Sequence, residues 1–112
     1  MRRLPLSFLS LCLCLGAATA AAECTREAAP AIPDGSTATL EDMQAAQQSM
    51  KAYIASGNAY MSCLEQEGVA AGEADTDEAK AARVANHNAT VDEQTAVAEA
   101  FNQAVKAFKA RN

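Results

Sequence analysis

What the 112-residue chain lacks narrows its chemistry first. It has no Trp and only 4 % aromatic residues, so few large side chains are available to fill a core. It has a single His, His87, and one imidazole is a catalyst only beside a held nucleophile or acid, which nothing local supplies. There is no G-x-S-x-G, no phosphate-binding glycine loop, no H-E-x-x-H and no C-x-x-C-H, which leaves the common hydrolase, nucleotide, zinc-protease and covalent-haem signatures unrepresented. No apolar run reaches the roughly 20 residues a membrane span requires. Clusters of Lys and Arg are missing too, and the net charge is -5, so nucleic acid and anionic membrane surfaces are poor partners. The expectation is a protein that is no enzyme and carries no cofactor.

The N-terminus has what an export signal needs. Met1-Arg2-Arg3 is a basic head, Leu4 to Leu15 is uncharged and Leu-rich, and Gly16 to Ala22 is almost all small residues. This is the secretory layout, with cleavage expected after Ala20 or, better, Ala22. The apolar stretch is too short for a stable anchor. Leu4-Pro5-Leu6 does not continue Arg2-Arg3 into a twin-arginine consensus, and Glu23 before Cys24, with Leu before Cys12 and Cys14, argues against a lipidation site. The chain therefore divides into a signal peptide, residues 1–22, an extended arm, 23–39, and a helical domain, 40–112. Removing Arg2 and Arg3 takes the charge of -5 two units further, to -7. The product is expected in the periplasm or secreted, with no stable membrane insertion.

Four cysteines sort accordingly. Cys12 and Cys14 leave with the signal, and Cys24 and Cys63 remain as an even pair in an oxidising space, where a bridge is the default. Closing a loop of about 40 residues is worth roughly 3 to 4 kcal/mol in the chain-entropy model.

The arm contains Pro30, Pro33 and Gly35, and Ile32-Pro33-Asp34-Gly35 reads as a turn. Thr39 with Asp42 forms a capping-box pattern that starts a helix over 40–67, with Gly68 as its stop. Met43, Ala46, Met50, Tyr53, Gly57, Tyr60 and Leu64 follow one another by alternating steps of three and four, a coiled-coil-like seam widened by Ile54 and Met61. Asp75 or Thr76 caps a second helix running from 76 to about 110. Val84, Val91, Ala98 and Val105 recur every seven residues, with His87, Gln94, Phe101 and Phe108 between them. Asn86 to Thr90 are weak helix formers and invite a break. Lys106, Lys109 and Arg111 suit the negative end of the helix.

The fold class is thus all-α: an antiparallel two-helix hairpin with an extended arm tied by a disulfide. Fifteen arm residues reach about 45 Å, and the helix carries Cys63 about 36 Å from Thr39, so the arm can double back to it. Ile32 and the prolines are expected over Tyr53, Gly57 and Tyr60, with Gly57 permitting close approach.

Other chemistry gives way to ordinary explanations. Met43, Met50 and Met61 could hold Cu(I), but their spacing is that of the core. Glu65, Glu67, Glu73, Asp75, Asp77 and Glu78 crowd the helix connection without an EF-hand order, as a solvated tip does. His87 fits a partly buried structural position. Asn88-Ala89-Thr90 is a glycosylation sequon by pattern, placed on a helix.

The segments I-P-D-G-x-x-A-T-x-E-D-M from Ile32, K-A-Y-I from Lys51, N-A-Y-M-S-C-L from Asn58 and V-A-E-A-F-N-Q-A-V-K-A-F-K-A-R from Val97 together resemble a group of small secreted proteobacterial proteins. Those proteins carry a similar Cys near the mature N-terminus, and the likeness covers nearly all of the expected mature chain. It implies export and this architecture, and brings no functional residue with it.

Two short-core helices bury only part of their seams. A homodimer or an envelope-protein partner is therefore expected, with Met43, Met50, Tyr53, Tyr60, Phe101 and Phe108 as the candidate interaction seam. The alternative is a small-ligand or metal carrier in the envelope using the Met and Tyr seam or the acidic tip.

Overall fold

A computed structural model describes residues 23–111, and the expected signal peptide lies outside them. Helix α1 spans Leu40–Ala71, a single 3-10 turn spans Gly72–Ala74, and helix α2 spans Asp77–Ala110. The helices pack side by side as an antiparallel hairpin, and residues 23–39 form an irregular arm along it.

Local chemistry explains where each helix starts. The Asp42 N–H donates to Thr39 Oγ1 at 3.1 Å, and the Thr39 N–H donates to Asp42 Oδ2 at 3.1 Å. This complete capping box satisfies two otherwise orphaned donors and is worth about 1 kcal/mol. Thr76 caps α2 in the same way, accepting from the Ala79 N–H at 3.0 Å.

The end of α1 differs from expectation. The helix runs through Gly68 and stops at Gly72, whose φ of +52° is the left-handed conformation a side chain disfavours. Gly68 serves packing instead: a Cβ there would sit 3.2 Å from Arg83 Nε. Nor does α2 break at Asn86–Thr90. Thr90 is fully buried, and its hydroxyl donates to the Asn86 carbonyl at 2.7 Å, so its polar group is satisfied within the helix. Burial against α1 outweighs the weak propensity of the stretch.

The arm folds back through a turn built on Asp34. The Thr37 and Ala38 N–H groups donate to its carbonyl at 3.1 and 2.8 Å, and the Ser36 N–H to its carboxylate at 2.9 Å. Gly35 is required for contact rather than for torsion, since a Cβ there would lie 1.8 Å from the Ala104 carbonyl oxygen. Arg111 fastens the turn to the end of α2 by donating to the Gly35 and Ala38 carbonyls at 3.1 and 2.6 Å. That turn shortens the arm's reach, so its register also differs from expectation. Ile32 packs with Ala38, Met43 and Ala104, and with Pro33 it lies beside Asp42, Ala46 and Ser49. The Tyr53 to Tyr60 stretch is covered by Arg26 and Glu27 instead. Gly57 admits α2 rather than the arm: its missing Cβ would fall 2.2 Å from Gln94 Nε2 and 3.5 Å from Thr90 Cγ2.

The arm ends at a Cys24–Cys63 disulfide with Cα atoms 5.6 Å apart, inside the range such a bond requires.

Candidate functional site

Helix α1 has three neighbouring faces, because successive residues turn about 100° around its axis. Ser56, Tyr60 and Cys63 meet the arm. Tyr53, Gly57 and Leu64 are buried in the direction of α2. Half-buried Ile54 and Met61 and exposed Asn58 and Glu65 line a third flank, which opens to solvent.

The arm face is closed by an ionic clasp. Arg26 grips Glu93 of α2 with two parallel bonds, 3.0 and 3.1 Å, in the fork geometry that makes Arg–carboxylate pairs strong. The Tyr53 hydroxyl donates to the same carboxylate at 2.7 Å, and the guanidinium lies 5.7 Å from the Tyr60 ring centroid. The Glu27 N–H adds a 2.7 Å bond to Ser56 Oγ. The Arg26 hydrogen bond, then that of Tyr53, holds the Glu93 carboxyl below the ordinary carboxylate range. Burial, reinforced by the bond to Glu93, pushes the Tyr53 hydroxyl up. Tyr53 is the donor in this pair. The clasp binds arm, α1 and α2 together.

Sequence reasoning did not single out Arg26 or Glu93. They are 67 positions apart, and Glu93 has the look of any surface acid on a helix. No short-range signal connects them.

The residues named as an interaction seam lie within the hairpin and under the arm. Met43, Met50 and Tyr53 are buried, Tyr53 to 1 % exposure. Phe101 and Phe108 are half-buried against the cluster of Ala38, Met43 and Ala104, and Tyr60 is half-buried beneath Arg26. His87 is exposed, not partly buried as expected. Of the acids near the hairpin tip, Asp75 departs from the solvated reading: its side chain is 6 % exposed and pairs with Arg83. Among the described residues, the three potential metal-ligating atoms that come within 4.8 Å of one another belong to Cys24, Cys63 and Glu67. Its two sulfurs are already bonded to each other.

The uncovered flank carries two shallow hollows that meet at Asn58. One, about 420 Å³, is lined by Gln47, Met50, Lys51, Ile54 and Ala55. The other, about 730 Å³, lies between Met61, Leu64 and Glu65 of α1 and Lys80, Val84 and His87 of α2. Val84 and Val91 are 59 % and 40 % exposed, so the first half of the heptad seam of α2 continues this open flank instead of entering the hairpin. The larger hollow sets apolar Met61, Leu64 and Val84 among Glu65, Lys80, Arg83 and His87. Among the described residues no helix is long and apolar enough to cross a membrane.

No family model matches the chain, and neither the curated proteins nor the solved structures contain a match.

Proposed function

We propose that the protein is an exported, non-catalytic interaction module, acting in the periplasm or outside the cell, whose working surface is the open flank of the hairpin. The observation that carries this reading is the asymmetry of the fold. One side is shut by a disulfide, an ionic clasp and a backbone turn, while the opposite side leaves Val84 and Val91 exposed beside the half-buried Ile54 and Met61. Rigid elements fastened on one side and apolar on the other are how a small helical protein presents a docking face.

Export is supported by the signal-like residues 1–22 and by a disulfide that persists only in oxidising compartments. The resemblance to small secreted proteobacterial proteins points the same way. Mass spectrometry of the protein from the periplasm and medium should find a chain beginning at Glu23, with Cys24 and Cys63 resistant to alkylation until reduced. Met61→Glu and Val84→Glu should abolish capture of the partner, or self-association, while leaving the melting temperature within a few degrees. If neither substitution changes any association, the open flank is not the working surface.

A second reading, a small-ligand carrier, draws on the hollow of about 730 Å³, which falls within the size of ligand sites. A thermal-shift series with copper, zinc, calcium and hydrophobic ligands tests it. Saturation at a hundred times the dissociation constant stabilises by about 2.7 kcal/mol, and a flat series removes the reading.

A further inference from the structure

We infer that the open flank is covered by a second copy of this chain, related by a two-fold axis through Asn58, with α1 packed antiparallel on its own copy. This rests on the reading of that flank as an interaction surface and adds the partner and the register.

The argument begins with charge. Lys51 and Glu65 both line the uncovered flank, and neither makes a hydrogen bond or ion pair with the described residues. Each stands seven residues from Asn58, one before and one after, so at 1.5 Å per residue they lie about 10 Å on either side of it. Seven residues is nearly two whole turns, so all three share one stripe. Turning the helix end over end about Asn58 sets Lys51 opposite Glu65 of the copy, and Glu65 opposite Lys51. An isologous contact repeats every pair, so both charges find partners at once. A parallel or shifted register would set Lys51 or Glu65 against an uncharged residue or its own kind.

The apolar residues agree with this register. Ile54 and Met61 fall either side of Asn58, at four residues before and three after, so each side chain enters the hollow flanking the other on the copy. Asn58 sits on the axis, where a polar residue pairs with itself and penalises slipped registers. Gln94 marks the same level on α2, because its Nε2 donates to the Ile54 carbonyl at 3.2 Å and lies 3.5 Å from Asn58 Oδ1. Val91 and Ala98 then stand just before and after the axis, which brings the exposed heptad of α2 against itself. The product is a four-helix bundle with the two arms on its outside.

Charge exchange tests the register directly. Sedimentation equilibrium on the purified disulfide-bonded protein should give a dimer. Lys51→Glu should raise its dissociation constant about ten-fold or more, because each substitution appears twice and replaces attraction by repulsion. Glu65→Lys should do the same. The double exchange, Lys51→Glu with Glu65→Lys, should return the constant to within about three-fold of the original, since both pairs re-form with opposite polarity. These residues are exposed in the single chain, so all three variants should melt like the parent. As a second measurement, Asn58→Cys should form a covalent dimer on mild oxidation, and Ala59→Cys, a quarter-turn around the helix, should not.

A protein that stays monomeric at ~100 μM overturns the inference. The wider reading of the flank would then rest on capture of a different partner, lost with Met61→Glu. A dimer indifferent to the single exchanges, or not restored by the double one, overturns the axis and the register.

Discussion

Breaking the Cys24–Cys63 bond is the perturbation whose cost is most directly calculable. The two residues are 39 positions apart, and the chain-entropy relation, -2.1 - 1.5R ln n, gives roughly 13 cal/mol/K, or about 4 kcal/mol at 25 °C. A domain of about 90 residues has a total stability of roughly 5 to 13 kcal/mol, so reduction should remove a large fraction without abolishing the fold. Each kcal/mol moves the melting temperature of so small a domain by roughly 4 to 8 °C, and the expected fall is about 15 to 30 °C. The folded state should survive at low temperature because the arm has other fastenings. Arg26 holds Glu93, Arg111 holds two carbonyls of the turn, and Ile32 is packed against Met43 and Ala104. Guanidinium titrations and thermal melts followed by far-UV circular dichroism, with and without reductant, measure the two quantities. The denaturant slope should rise on reduction, because the freed unfolded chain exposes more surface. A reduced protein less than about 1 kcal/mol weaker refutes the entropic account. One that loses its helical signal in native buffer refutes the claim that the clasp and turn hold the arm unaided.

Two glycines separate a rigid contact from a forgiving one. Gly35→Ala drives a Cβ into the Ala104 backbone and should destabilise by about 1 to 3 kcal/mol, whereas Gly57→Ala meets only the movable end of Gln94 and gains helix propensity, so its effect should stay within about 1 kcal/mol. Thermal melts of the two variants check the order, and equal losses would contradict it. The pH profile has two limbs. Glu93 is depressed in the fold, so its contribution is present above its unfolded pKa near 4.5 and is lost as pH falls through the lower folded value. Tyr53 is raised, so its contribution is present below its unfolded pKa near 10 and is lost as pH rises through the higher folded value. Urea midpoints across this range should show a plateau between the limbs, and Glu93→Gln should reduce the acid limb and leave the share from Asp34, whose carboxyl Ser36 holds low.

Much of this arrangement could be read from local pattern, and the reason is range. The Thr39–Asp42 cap spans three residues, and the Met43 to Leu64 seam repeats at helical steps, so each declares itself within one helix. The disulfide was legible because compartment and parity left one pairing. What stayed hidden depends on contacts between distant segments. Gly68 and Gly72 both qualify as a helix stop, and the choice is made by Arg83 lying over the first of them. Thr90 looks like a weak helix residue until its full burial in the hairpin is seen. The arm's register follows from how many residues the Asp34 turn consumes and from how close Gly35 comes to Ala104. Val84, Val91, Ala98 and Val105 share one heptad, yet only tertiary structure tells that its first half stays outside. The open flank therefore shares Met50 with the seam that periodicity selects and extends past it through Ile54, Asn58 and Met61.

The unequal use of the two helices has a kinetic consequence. Helix α1 is enclosed by the arm on one side and α2 on the next, with Tyr53 and Leu64 at the centre. The first third of α2, Asp77 to Asn88, has no buried residue, and its Arg83 lies against Gly68 of α1. Local opening costs least where apolar contacts are fewest. In dilute solution, amide hydrogens of residues 80–88 should therefore exchange well before those of residues 46–64. Raising the concentration into the range where a second copy binds should slow exchange at residues 84–98 and 51–65 together, because both stripes face the same two-fold axis. Exchange that is uniform along both helices in dilute solution would mean that Val84 and Val91 are already covered within one chain, and the open flank on which the partner argument stands would not exist.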